Sequence, residues 1–149
     1  MRSVAVLAAL LVSASFAWAH GMNDRAPDAR QLADLEARAA SASPNEQPYI
    51  YAELVHSMTE VATAQFQAGD QVQASASLKA AQGYAGKIQM SLLRDAKKLK
   101  SAEILIRHTA FRLKELLTGA SLDDRPTLEA TIQQLNQVQS EMMTQIFRH

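Results

Sequence analysis

From residue 27 to residue 147 the apolar side chains of this chain recur every three or four positions and nowhere alternate every second one. Only a helix, at 3.6 residues per turn, gathers such a pattern onto one side, so strands are excluded as the building unit. The composition agrees: 149 residues with 5 Gly, 4 Pro and 5% aromatics hold few turn formers and few strand formers. The length fits one domain. The spacing therefore predicts an all-α fold, a bundle of four to five helices made of antiparallel hairpins around a long middle helix, with residues 27–149 as a single helical domain.

Breakers divide the pattern. A first helix starts at Pro27-Asp28, carries Leu32, Leu35 and Ala39 on one side and stops near Ser43. Pro44 and Pro48 each disfavour helix in the residue before them, which marks a loop. A second helix is expected from about Tyr49 to Ala68, with Ile50, Leu54, Met58 and Val61 in its stripe. It ends at Gly69-Asp70, a stop followed by a cap. From Gln71 the periodicity runs on to Leu117, either as one bent helix or as two that part near Gly86. Gly83 and Gly86 each weaken a helix there by about 1 kcal/mol relative to Ala. Pro126 opens a final helix reaching about Phe147, with Leu128, Ile132, Leu135, Val138, Met142 and Ile146 in line.

The N-terminus has a different logic. Arg2, an apolar run from Val4 to Trp18, and Ala17-Trp18-Ala19 follow the order of a secretory signal peptide. The run is shorter than the roughly 20 residues that span a bilayer. Residues 1–19 are thus expected to be cleaved after Ala19, residues 20–26 to form a flexible tail, and the chain to be periplasmic or secreted. The sequence has no cysteine, which excludes disulfides, thiolate metal sites and thiol catalysis.

Charge is segregated. Residues 79 to 114 carry nine basic side chains against two acidic ones, while the flanking segments are acidic and the full chain sums to zero. Such a stripe suits acidic proteins or, less favoured, an anionic membrane surface. Nucleic acid is not expected, because the net charge is near zero and no aromatic platform interleaves the lysines. Within that stretch Leu92, Ala96, Leu99, Glu103, Ile106, Ala110, Leu113 and Leu117 form a heptad seam with one polar member, Glu103. Ile104, Leu105 and Phe111 lie off it, and Ile104, His108 and Phe111 share a second face. A two-helix hairpin cannot cover both faces, so the chain's own first helices, a second copy or a client must supply another layer. The candidate partner-binding surface is Ile104, Leu105, His108 and Phe111, rimmed by Lys97, Lys98, Lys100 and Arg107.

Signatures of catalysis are absent: no phosphate-cradling glycine loop, serine elbow or H-E-x-x-H occurs. No enzyme activity and no cofactor are expected. No metal site is expected either, with His20 as the candidate if one exists, since a mature N-terminal histidine offers copper both an amine and an imidazole nitrogen. His56, among apolar neighbours, is expected to be a partly buried, hydrogen-bonded core residue, and His108 a packing or surface residue.

Residues 58–85 resemble one tetratricopeptide helix pair. Gly69-Asp70 falls at the turn, Ala74, Leu78 and Ala81 match the small-large-small pattern of the second helix, and Val61 and Ala62 match the paired contact in the first. Met58 and Gln65 depart from that family's usual aromatics, and Gly86 stands where proline often ends the repeat. The resemblance implies a helical-hairpin scaffold and a protein-binding role. Residues Asp124-Arg125-Pro126-Thr127-Leu128-Glu129-Ala130 through Glu141-Met142-Met143 resemble the closing helix of small periplasmic stress chaperones of the Spy and CpxP type. Those proteins dimerise and hold clients on a basic, partly apolar surface. The expectation is a non-enzymatic exported interaction or scaffold module that takes a protein partner or forms a homodimer. The alternative is a stress chaperone or metal-responsive protein of the Spy type, and a third reading is a copper- or haem-binding helical protein.

Overall fold

A computed structural model describes residues 24–92 and 95–148. The signal-peptide expectation, the cleavage after Ala19 and His20 lie outside the described residues. Among the described residues five helices follow one another: α1 (Ala29–Ser41), α2 (Gln47–Gln67), α3 (Gln71–Ser91), α4 (Leu99–Thr118) and α5 (Arg125–Ile146). The fold is all-α, and no strand occurs among the described residues. None of the described helices is long and apolar enough to cross a membrane.

Local chemistry sets the ends. The Asp28 carboxylate accepts from the Gln31 backbone N–H at 2.8 Å, and the Gln31 side chain accepts from Asp28 N–H at 3.0 Å, closing a capping box on α1. Helix α2 ends on Gly69, whose φ of +78° opens the left-handed turn. There Asp70 N–H reaches Gln65 O at 2.9 Å and Gly69 N–H reaches Phe66 O at 3.1 Å, the paired bonds of a Schellman stop. Asp70 then caps α3 by accepting from Gln73 N–H.

Helices α2 to α5 form a four-helix bundle in which α2 packs on α3 and α4, and α5 packs on α3 and α4. Each hairpin, α2/α3 and α4/α5, is antiparallel within itself. Between hairpins the pairing is parallel: α2 meets α4 with partners 52 or 53 residues apart, and α3 meets α5 with partners 49 or 52 apart. The molecule is therefore one hairpin stacked in register on another, with α1 laid along α2. The shared core is apolar, and Leu78, Ile88, Ile106, Leu113, Leu128, Leu135, Val138 and Met142 are completely buried. Each such side chain contributes about 1.5–3 kcal/mol relative to exposure. A satellite cluster of Ala39, Ile50 and Leu54 holds α1, helped by Tyr84 Oη donating to Glu36 at 2.8 Å.

The periodic stretch from Gln71 to Leu117 holds two helices, α3 ending at Ser91 and α4 beginning at Leu99, and they do not part at Gly86. Both glycines stay helical because Ala81, Ala85 and Ile88 beside them are fully buried, which outweighs about 1 kcal/mol per glycine. The entry to α4 brings that helix back beside α2. It is pinned by Lys97 N–H on Asn45 O at 2.7 Å and passes through Lys98 at φ +54°. A left-handed non-glycine residue costs about 1–2 kcal/mol, less than burying one α4 side chain such as Ile106 returns. Glu103, the polar member of the heptad seam, is buried and satisfied by Gln139 of α5 at 2.9 Å, with Arg107 at 3.6 Å.

Candidate functional site on helix α4

Helix α4 turns one side into the core through Ala102, Leu105, Ile106, Thr109, Ala110 and Leu113. Its opposite side carries Lys100, Ile104, Arg107 and Phe111 in a stripe at helical spacing. Ile104 is 43% exposed and Phe111 58% exposed. The extra layer expected from the sequence is thus α2, and it leaves those two residues outside.

Leu105 departs from the expected surface: it is buried against the core, 9% exposed, and cannot contact a partner. The rim also divides. Lys100 and Arg107 flank the apolar pair, but Lys97 and Lys98 sit in the turn ahead of α4, about 20 Å along the helix from Phe111. There they line a cleft of about 360 Å³ with Arg38, Ser41 and Tyr49. Lys97 faces Glu46 at 3.9 Å, and the Lys98 ammonium stands 5.1 Å from the Tyr49 ring. The structure therefore keeps Ile104, Phe111, Lys100 and Arg107 together with His108 at their edge, and removes Leu105, Lys97 and Lys98.

His108 joins a second group along the α2/α4 seam. His56-x-x-x-Glu60 on α2 and His108-x-x-x-Arg112 on α4 are each spaced to project from one side of a helix, and parallel stacking sets them level. The two rings lie 5.6 Å apart at a 46° tilt. One turn on, Arg112 grips Glu60 with two bonds, Nε to Oε1 at 3.0 Å and an Nη to Oε2 at 3.1 Å, and also reaches Glu115 at 3.1 Å. Glu60 is 3% exposed, so this bidentate pair satisfies a buried carboxylate and holds the guanidinium charged.

Thr109 fixes the His56 ring. The Thr109 hydroxyl donates its hydrogen to Leu105 O at 2.7 Å, so at 3.0 Å it can only accept from His56 Nδ1–H. The other ring nitrogen, Nε2, lies 3.5 Å from Asp24 Oδ1. Asp24 also accepts from His108 Nε2 at 2.7 Å, and that bond holds its carboxyl below the usual carboxylate range. Asp24 belongs to the segment expected to be a tail, yet it closes the group from above.

Sequence reasoning did not assemble this group. His56 is buried and hydrogen-bonded as expected, but Asp24, Glu60, Thr109 and Arg112 carried no signal of their own. The available clue was one interval: both i, i+4 pairs start 52 residues apart. Among the described residues, Asp24, His56 and Glu60 bring metal-ligating atoms within 4.8 Å of one another. No family model matches the sequence, and no curated protein and no solved structure matches it.

Proposed function

We propose that this chain is an exported, non-enzymatic helical protein whose α4 outer face binds a protein partner. One observation carries the reading: Ile104 and Phe111, two turns apart on one face, remain 43% and 58% exposed in a bundle whose other apolar stripes are closed. The other exposed large apolar residues stand apart at helix ends and turns: Val72 and Met90 at opposite ends of α3, Leu122 in the turn before α5 and Phe147 just after α5. Exposed apolar side chains flanked by Lys100 and Arg107 suit a partner that is apolar with acidic borders. The expected signal peptide, with its Arg2 and its Ala17-Trp18-Ala19 site, supports export.

The test is Phe111→Asp, followed by light scattering and by binding of a hydrophobic dye. Because Phe111 packs in neither core cluster, the variant should keep its helicity and lie within about 0.5 kcal/mol of the parent in stability. Self-association or dye binding should fall sharply. A parent chain that is strictly monomeric and binds no dye would remove the reading.

A further inference from the structure

We propose that the outer face of α4 pairs with the same face of a second copy of this chain, antiparallel about a two-fold axis that passes between Arg107 and His108. This rests on the reading that the face binds a protein, and it names that protein. Lys100, Ile104, Arg107, Phe111 and Glu115 are exposed and follow one another at spacings of four, three, four and four along one side of the helix. A two-fold contact sets residue i on j and j on i. The pair Ile104 and Phe111 has the same midpoint as the pair Lys100 and Glu115, between residues 107 and 108. One axis therefore seats Ile104 on Phe111 of the second copy and Lys100 on Glu115 of the second copy, each contact made twice. The ion pairs bracket the apolar centre about 22 Å apart along the helix, and long side chains bridge axes packed about 8–10 Å apart.

Charge fits this register. Lys100 has no carboxylate within ion-pair reach among the described residues. Glu115 takes Arg112 on one oxygen, Oε2 at 3.1 Å, and is half exposed, so it can accept a second cation. At the axis like charges approach, but each central residue already has its own carboxylate. Arg107 Nη1 lies 3.6 Å from Glu103 Oε1, and His108 Nε2 lies 2.7 Å from Asp24 Oδ1. Glu103 is bonded to Gln139 of α5, and Asp24 stands beside His56 of α2. Arg107 and His108 are thus drawn to opposite flanks and leave the centre line to Ile104 and Phe111. A parallel pairing would instead stack Lys100 on Lys100 and Glu115 on Glu115. The stripe carries its own counter-charge at the position that the two-fold requires, and this favours a second copy over an unrelated acidic partner. One pair of 20-residue helices is a small interface, so the dimer exchanges with monomer.

The test is sedimentation velocity of the purified chain at low ionic strength, from about 1 μM to about 1 mM. The parent should pass from monomer to dimer and no further, and Phe111→Asp should stay monomeric. Lys100→Glu and Glu115→Lys, both at exposed positions, should keep the parent's thermal unfolding and each weaken the dimer at least about 10-fold by setting like charges opposite each other. The two changes joined in one chain should restore it to within about threefold of the parent, and an equimolar mixture of the two single variants should associate where neither does alone. A dimer that Phe111→Asp leaves intact, or that the joined variant weakens as much as the single ones, would overturn the pairing. So would a chain that is monomeric throughout. If such a monomer still binds a hydrophobic dye through Phe111, the protein-binding reading survives with a different partner, and if it binds none, both fall.

Discussion

The two parallel seams of the bundle share one device and differ in its chemistry. In the α3/α5 seam Thr131 donates to Thr127 O at 2.7 Å and accepts from Gln82 Nε2 at 2.9 Å. In the α2/α4 seam Thr109 donates to Leu105 O at 2.7 Å and accepts from His56 Nδ1 at 3.0 Å. A threonine that spends its hydrogen on its own helix becomes a pure acceptor for the neighbouring one, and this fixes the register of parallel helices. An amide at the other end makes a neutral bond. An imidazole, with Asp24, Glu60, His108 and Arg112 around it, sets the bond among ionisable groups. The same packing solution therefore yields a neutral Thr–Gln bond in one seam and a Thr–His bond beside a buried carboxylate in the other.

The comparison breaks most visibly where charge is buried. Arg112→Ala leaves the Glu60 carboxylate, 3% exposed, without its guanidinium and should cost about 3 kcal/mol in denaturant unfolding. Gln82→Ala in the other seam should cost about 1 kcal/mol, the worth of a neutral bond. Equal losses would mean that the two joints do not differ in kind. Thr109→Val and Thr131→Val sharpen the point. The first strands a buried imidazole N–H and should cost about 2 kcal/mol, the second about 1 kcal/mol because Gln82 keeps some access to water.

Smaller effects follow on α3 and on Asp24. Nothing lies within 4 Å of a methyl added at Gly83 or Gly86, and neither has a positive φ. Gly83→Ala and Gly86→Ala should each stabilise by about 0.5–1 kcal/mol, measured as a shift of the urea midpoint. The smallest expected effect is local and pH-dependent. Asp24 has a lowered carboxyl pKa because His108 donates to its charged form, so its contribution is full above about pH 4 and is lost as the pH falls through the lowered value. Amide exchange at residues 24–28 should quicken in that acid window, while the α3/α5 seam stays unchanged.

Much of the fold was legible because its signals are local. The helices follow from spacing, the α2 stop from Gly69 with Asp70, and the start of α5 from Pro126. The separation of α3 from α4 was not, because the sequence of residues 92–98 contains neither Gly nor Pro, and Lys98 is forced left-handed by the need to return α4 to α2. The exposed pair Ile104 and Phe111 was visible as excess apolar circumference, whereas Leu105 beside them was claimed by α2, a contact set 50 residues away. The His56–His108 group was illegible for the same reason. Its members are ordinary on their own helices and become a group only when two hairpins stack in parallel at a 52-residue interval.

The account stands or falls on the state of the His56 ring, which nitrogen-15 NMR of the imidazoles reads directly. Neutral His56 should carry its proton on Nδ1, and Thr109→Val should remove that preference. A neutral His56 ring with its proton on Nε2 would contradict it.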